Sequence, residues 1–243
     1  MSLIPALAAF QFAAAAVATP PNAYPFGVGE RFDYSAKLGM LSVGTASIQV
    51  ASIDTIRGQP AFVFRFSLDA SALMFKIQSS LESWTSVQGF RSLRFRQDSR
   101  ENSKRYLREY EIFGDSGYYR QTQATATTPT SSEPLDDASF LYFVRTTPLE
   151  VGKSYRFERH FKPELNPILI NVLKRETIEL PDGNKVVCLV LNPVVGDKMF
   201  SERAEARLWI TDDARRIPVQ IRTTQYGTIT LRLQKITPAP AGS

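Results

Sequence analysis

The 243-residue sequence has one cysteine and one histidine. A single cysteine excludes an internal disulfide. Cys188 stands in the apolar run Val186-Val187-Cys188-Leu189-Val190-Leu191, where a thiol behaves as a small buried hydrophobe rather than a nucleophile. One His and one Cys supply no zinc ligand set, so no metal is expected. His160 could serve a Ser/His/Asp arrangement only with a serine from elsewhere, and the chain has no G-x-S-x-G elbow. Among the charged neighbours of Glu158-Arg159-His160-Phe161-Lys162 it reads as an exposed strand-end residue. Gly-rich phosphate loops are also missing, and no cofactor is expected. Beyond the first twenty residues no apolar run is long enough to span a bilayer, which takes about 20 residues.

What is present is ordinary for a globular protein: 43% hydrophobic and 22% charged residues, with a formal net charge of +5. A chain this long buries roughly 70–75% of its unfolded surface. The N-terminus has an apolar core from Leu3 to Val17 and a small-x-small site at Ala16-Val17-Ala18 ahead of Pro20-Pro21. This reads as an export signal over 1–18 and predicts a mature chain from about Thr19, in the periplasm or otherwise exported to the cell envelope. The missing basic n-region fits a start codon assigned too late. A short Ala-rich membrane anchor is the alternative.

Past the signal, period-two alternation dominates, with Gly, Pro or Asp in the breaks. Seven strand patterns run to about residue 126. A Thr/Ser/Pro-rich stretch at 122–134 reads as a solvated loop, and six more strands follow. Val28-Gly29 with Phe32 and Tyr34 returns as Val151-Gly152 with Tyr155 and Phe157, Gly58 as Gly183, Trp84 as Trp209 and Arg91 as Arg216, all at spacings of 123 to 125 residues. Such order predicts two similar halves, 26–126 and 148–237, within one β domain over 19–243, each Trp fixing register in its own half. Between them Asp136 and Asp137 supply a cap and negative charge for a helix over 136–146. It is apolar on every side from Phe140 to Val144 and therefore buried. The expected fold is all-β with minor α: a strongly curved antiparallel sheet or open β-barrel around one short central helix.

The stretches VGERFDY, DDASFLYFVRTTPLEVG, LWITDDARRIPVQI and GTITLRL resemble the exported bacterial proteins grouped as domain of unknown function 3108, over about Phe26 to Ile236. The resemblance implies an exported location and an antiparallel β fold and supplies no catalytic residue. More distantly, such folds are similar to the open barrels of LolA and LolB type that carry lipids or lipoproteins across the periplasm, an analogy of fold alone.

The paired carboxylates Asp136-Asp137 and Asp212-Asp213 have spacings that an acid and base couple could use, but helix starting and turn formation account for them more simply. A hydrolase using Asp212 or Asp213 is the remote alternative, and no catalytic residue is assigned. Between Arg91 and Arg108 the basic residues outnumber the acidic ones by the whole chain's surplus. Export leaves anionic lipid or an envelope protein as the partner of Arg94, Arg96, Arg100, Arg105 and Arg108; nucleic acid is excluded for want of stacking aromatics. The alternative is a solvated hairpin face. Phe62, Phe64 and Phe66 share one face of a strand, and Leu73, Met74 and Phe75 form an apolar tip suited to a lid or a membrane contact. With Phe140 and Phe143 of the helix, these residues are the expected lining for a lipid or other apolar ligand. The alternative is a non-catalytic envelope adaptor with a fully packed core.

Overall fold

The computed structural model describes residues 24–72, 75–196, 200–224 and 227–240, with Phe75 described by its backbone alone. Residues 1–18, expected as an export signal, lie outside the described residues, as do Leu73, Met74 and the Phe75 side chain.

Fourteen strands form one sheet. The first half contains β1 (Arg31–Leu38), β2 (Leu41–Ile56), β3 (Gln59–Ala72), β4 (Phe75–Ser86), β5 (Ser92–Glu101), β6 (Lys104–Phe113), β7 (Tyr118–Gln121) and the two-residue β8 (Thr128–Pro129). After helix α1 (Ser139–Thr146) come β9 (Ser154–Phe157), β10 (Ile168–Glu179), β11 (Lys185–Val194), β12 (Arg207–Thr211), β13 (Pro218–Thr223) and β14 (Ile229–Thr237). The order is β8 to β1, then β14 down to β9, antiparallel throughout, so the first and last long strands pair at the middle. Alternation predicts thirteen strands. The fourteenth, β8, lies in the Thr/Ser/Pro-rich stretch expected as a loop and pairs with β7 through Tyr118↔Pro129 and Tyr119↔Thr128.

The alternation that builds the strands also builds the core. Phe62, Phe64, Phe66 and Leu68 of β3 point inward with Phe32, Tyr34 and Ala36 of β1 and Leu231 and Leu233 of β14. Helix α1 lies against this concave face, buried from Ser139 to Arg145. A helix with no polar side has no stable place on a surface, so the sheet must curve around it.

The meanders β1–β6 and β9–β14 use the same local devices. Gly29 and Gly152, with φ of +92° and +84°, each donate an N–H to the first strand bulge, to the carbonyls of Val50 and Val172, both at 2.8 Å. Register shifts fall between Val50 and Ser52 and between Val172 and Lys174, then beside the tryptophans, at Trp84/Thr85 and Trp209/Ile210. An extra residue on one strand sharpens local twist and bends the sheet. An arginine lies over each indole, Arg94 at 5.5 Å from the Trp84 ring and Arg222 at 5.6 Å from that of Trp209.

Candidate functional site

Consecutive strands of a meander turn at alternate ends, which gives the barrel two unlike rims. One rim carries the turns 57–58, 87–91 and 212–217 and is filled with aromatic rings. Phe64 stacks on Tyr142 of α1 at 3.9 Å, and Phe26 meets Phe62, Phe64 and Tyr142 at 5.0–5.6 Å. Arg145, at the C-terminal end of α1, closes this end. Its guanidinium pairs with Glu30 at 2.5 and 3.0 Å, donates to the carbonyls of Pro25 and Arg215 at 2.8 and 2.9 Å, and lies over the Phe26, Phe32 and Tyr142 rings. Tyr34 donates to the Pro218 carbonyl at 2.8 Å. Three of the four sequence stretches that carry the family resemblance therefore meet at one buried ion pair, which explains their chemistry as structural. A buried charge is tolerated only when paired and hydrogen-bonded, and Arg145 is both.

Outside this pair an open groove of about 950 Å³ is lined by Arg145, Arg159, Arg215 and Arg216. Their charges are already engaged. Arg159 donates to the carbonyls of Glu133 and Phe90 at 2.7 and 2.8 Å, Arg215 pairs with Asp213 at 3.4 Å, and Arg216 pairs with Asp212 at 3.3 Å.

The opposite end is not filled. A cavity of about 180 Å³ lies between the N-terminal half of α1 and the upper parts of β3, β4, β5, β13 and β14. Its walls are Phe66 and Leu68 of β3, Ile77 and Leu81 of β4, Phe140 and Leu141 of α1, and Ile221, Ile229 and Leu231, with Val195 and Phe200 from the β11–β12 connection. The polar lining is Ser79, Gln97, Ser99, Glu101, Asp137 and Thr223. Two carboxylates at an apolar cavity repel an anionic head, so the site suits a neutral or cationic apolar molecule.

The expected ligand residues divide between these ends. Phe66 and Phe140 line the cavity. Phe62 and Phe64 belong to the aromatic packing at the other end, and Phe143 packs on Phe157 at 5.0 Å beneath the Arg159 guanidinium. The aliphatic lining from β4, β13 and β14 had a signal in the sequence, since each contributor is an inward position of an alternating strand. Alternation reports which face a residue occupies, and not how far along the barrel it stands.

Beneath α1 sits a buried polar cluster. Asp136 Oδ1 accepts the N–H groups of Ala138 and Ser139 at 2.9 and 2.8 Å, Oδ2 accepts the Ser83 hydroxyl at 2.6 Å, and Ser92 meets Ser139 at 3.0 Å. Asp136 thus caps the helix and ties it to β4 and β5. Burial pushes its carboxyl up to about 6, against the lowering effect of the bonds from Ser139, Ser83 and Ser92; the neighbouring Asp137 charge adds to the rise. Asp137 approaches His160 Nε2 at 3.4 Å. His160 is buried, contrary to its reading as an exposed strand-end residue. Its Nδ1 accepts the Lys162 N–H at 3.0 Å and its ring stacks on Phe161; Glu158 is exposed, Arg159 and Lys162 pack over Phe143 and Tyr110, and the imidazole turns in.

Asp212 and Asp213 build the β12–β13 turn. Asp213 accepts N–H groups from Arg215 and Arg216 at 3.0 and 3.1 Å and the Thr211 hydroxyl at 2.6 Å, while Asp212 pairs with Arg175 at 2.7 Å. Burial raises the Asp213 carboxyl, but the Thr211 and Arg216 bonds and the nearby Arg215 bring it below its ordinary value. Cys188 is buried and burial, with Asp213, Glu176 and Asp212 nearby, pushes its thiol up to about 12. Among the described residues no three His, Cys, Asp or Glu side chains are grouped to hold a metal.

Of the strand arginines, Arg94, Arg96 and Arg105 find carboxylate partners on neighbouring strands, while Arg100 is exposed on the same face and makes no ion pair among the described residues. Arg94 pairs with Glu111 at 2.6 Å, Arg96 with Glu82 at 3.8 Å, and Arg105 grips Asp98 through two bonds of 2.9 and 2.6 Å. Arg108 stands on the other face. It is opposite Gln97, which lines the cavity, and its guanidinium lies over Tyr106. The expected arginine surface thus splits between two faces of the sheet, because the turn at Asn102-Ser103 sets β6 in a register where even positions face in.

These features define a class: an open antiparallel β-barrel closed on a buried helix at one end and hollow at the other. The chain belongs to the family described as "Protein of unknown function (DUF3108)", which matches residues 33–234. Among solved structures, a β-barrel-like protein of domain of unknown function DUF1849 from Brucella abortus has the same fold, with a TM-score of 0.54 at 10% identity over 88% of this chain and 99% of that one. A protein described as a "putative lipoprotein" from Parabacteroides distasonis aligns over 88% of this chain and 97% of its own at 9% identity, with a TM-score of 0.31. Neither is described as a carrier of LolA or LolB type. No curated protein matches the sequence. Among the described residues no helix is long and apolar enough to cross a membrane.

Proposed function

We propose that the protein is exported to the cell envelope and holds, without catalysis, a short neutral apolar group in the cavity beside Phe66 and Phe140. The observation that carries this reading is the unfilled apolar space of about 180 Å³ in a core whose other end is packed shut. An apolar cavity of about 150 Å³ stays dry and takes up a benzene-sized guest, whereas drug-sized ligands need about 300–1,000 Å³. The occupant is thus the end of an acyl chain or a comparably small apolar group, and a whole lipid is excluded from the cavity. Each methylene buried there contributes about 0.8 kcal/mol.

The adaptor reading draws on the aromatic end, where Phe64 and Tyr142 leave no space. Uptake of N-phenylnaphthylamine, a neutral dye that brightens in apolar surroundings and whose benzene-sized phenyl ring alone needs to enter the cavity, separates the two. The unmodified protein is expected to take up the dye, and Leu231→Phe, which fills the cavity from β14, is expected to lose it while melting at the same temperature or higher. No uptake by the unmodified protein, together with no co-purifying apolar molecule in native mass spectrometry, would leave the adaptor as the better account.

A further inference from the structure

The rim around the cavity is formed by the β1–β2 and β5–β6 turns and by the described ends of β3, β4, β13 and β14. Between β1 and β2 the chain reverses through Gly39 and Met40 alone, with Leu38 opposite Leu41 and Gly39 at φ +59°. Turns this tight normally take Gly, Asn, Asp or Ser. Here Met40 is 99% exposed and Leu41 is 60% exposed, and neither joins a packed cluster. The tip adjoins the cavity, because Leu38 pairs with Ile229, one of the cavity's walls.

Charge surrounds this tip. Lys37 precedes it on β1, Lys76 is the second residue of β4, Lys104 opens β6 and Arg100 is the last residue but one of β5; among the described residues none of the four makes an ion pair. The carboxylates on the same rim are Glu101, opposite Lys104, and Asp69 on β3, which accepts from Gln78. Exposed apolar side chains ringed by unpaired cations match a surface that is apolar beneath and anionic above. A second copy of the chain would bring the same cations against these.

We propose that this rim docks on an anionic lipid bilayer, with Met40 and Leu41 entering the acyl layer and Lys37, Lys76 and Lys104 meeting the headgroups. The proposal deepens the ligand-holding reading, since the cavity beside an inserted tip opens toward the acyl chains that would fill it. It moves the membrane contact from the strand arginines, of which Arg94, Arg96 and Arg105 are paired and Arg108 faces inward, to the strand ends and turns where Arg100 stands.

Met40→Cys gives a single reactive thiol for an environment-sensitive dye, because Cys188 is buried and its thiol is pushed up to about 12. Asp182→Cys, in the turn between β10 and β11 at the opposite end, serves as control. With vesicles of mixed phosphatidylglycerol and phosphatidylcholine at low salt, the dye at 40 is expected to shift to the blue and the dye at 182 to stay unchanged; phosphatidylcholine alone should move neither. Changing Lys37, Lys76 and Lys104 together to Gln should weaken vesicle binding roughly a hundredfold, about fivefold for each charge, and Met40→Ser with Leu41→Ser at least about tenfold. The same two-serine variant should still take up N-phenylnaphthylamine in solution. An unmoved dye at 40, or an equal shift at 182, overturns the docking proposal. Dye uptake in solution without a shift at 40 sinks docking and leaves the cavity reading standing, whereas a shift at 40 in a protein that takes up no dye does the reverse.

Discussion

Asp136→Asn isolates the carboxyl that the fold holds most firmly. In the folded protein this group titrates at about 6, raised by burial from the ordinary 3.8. The folded state therefore binds the proton more tightly than the unfolded chain. Below about pH 4 both states are protonated and the group adds no pH dependence. Between about pH 4 and 6 the unfolded chain ionises first, so stability falls as pH rises. Above about pH 6 both are ionised and the loss is complete, at about 3 kcal/mol for a shift of roughly two units. The Asn side chain keeps an oxygen for the N–H groups of Ala138 and Ser139, and its NH₂ can donate to Ser83, whose hydroxyl then turns fully toward Thr85 at 2.8 Å. The variant should match the unmodified protein near pH 4 and exceed it by up to about 3 kcal/mol at pH 7. Urea unfolding at fixed ionic strength across pH 4 to 7 measures the difference directly. A difference that is constant over that range would refute the reasoning, since it would show that the carboxyl does not titrate there.

Glu30→Gln should destabilise by about 3–5 kcal/mol in the same assay, because it leaves the Arg145 guanidinium buried and charged without its carboxylate. Replacing both, with Glu30→Gln and Arg145→Met, should cost less than the sum of the single changes. Tyr142→Phe should be neutral or stabilise by about 1 kcal/mol, since among the described residues the buried Tyr142 hydroxyl has no hydrogen-bond partner; a loss above about 2 kcal/mol would show that it has one.

The fold was legible because both of its rules are periodic. Alternation located every strand but β8, and two residues are too few to show a period. The all-apolar Phe140 to Val144 run marked a buried helix, and a helix that must be covered on all sides fixes the curvature of the sheet around it. Less of the site could be read. Phe62, Phe64 and Phe66 do share a face, yet only the last lies at the hollow end, because the choice of end depends on where Tyr142 of α1 inserts. The arginine surplus looked like a free patch for a related reason: Glu82 and Glu111, which pair with Arg96 and Arg94, belong to the adjacent strands and lie outside or at the edge of any local count. The Met40-Leu41 tip was visible as sequence, but strand alternation alone gives no reason to single out an apolar pair at a turn until its exposure is known.

The pairing of β1 with β14 has a consequence for how the chain must be made. Arg31 to Leu38 lie opposite Ile229 to Thr237, nearly the full length of the sequence away. A chain that emerges N-terminus first can zip β1 to β6 from neighbouring turns within moments, but one edge of β1 then waits, with its hydrogen bonds unmade, for the final strand. Until β14 arrives, the centre of the finished sheet is an open border that could recruit another chain. Loss of the last fifteen or so residues would leave two such borders, on β1 and β13, in a protein whose remaining strands are all present. C-terminal truncations that remove β14 are therefore expected to aggregate more readily than N-terminal ones that end before Tyr24, which sedimentation of the two sets of variants would measure.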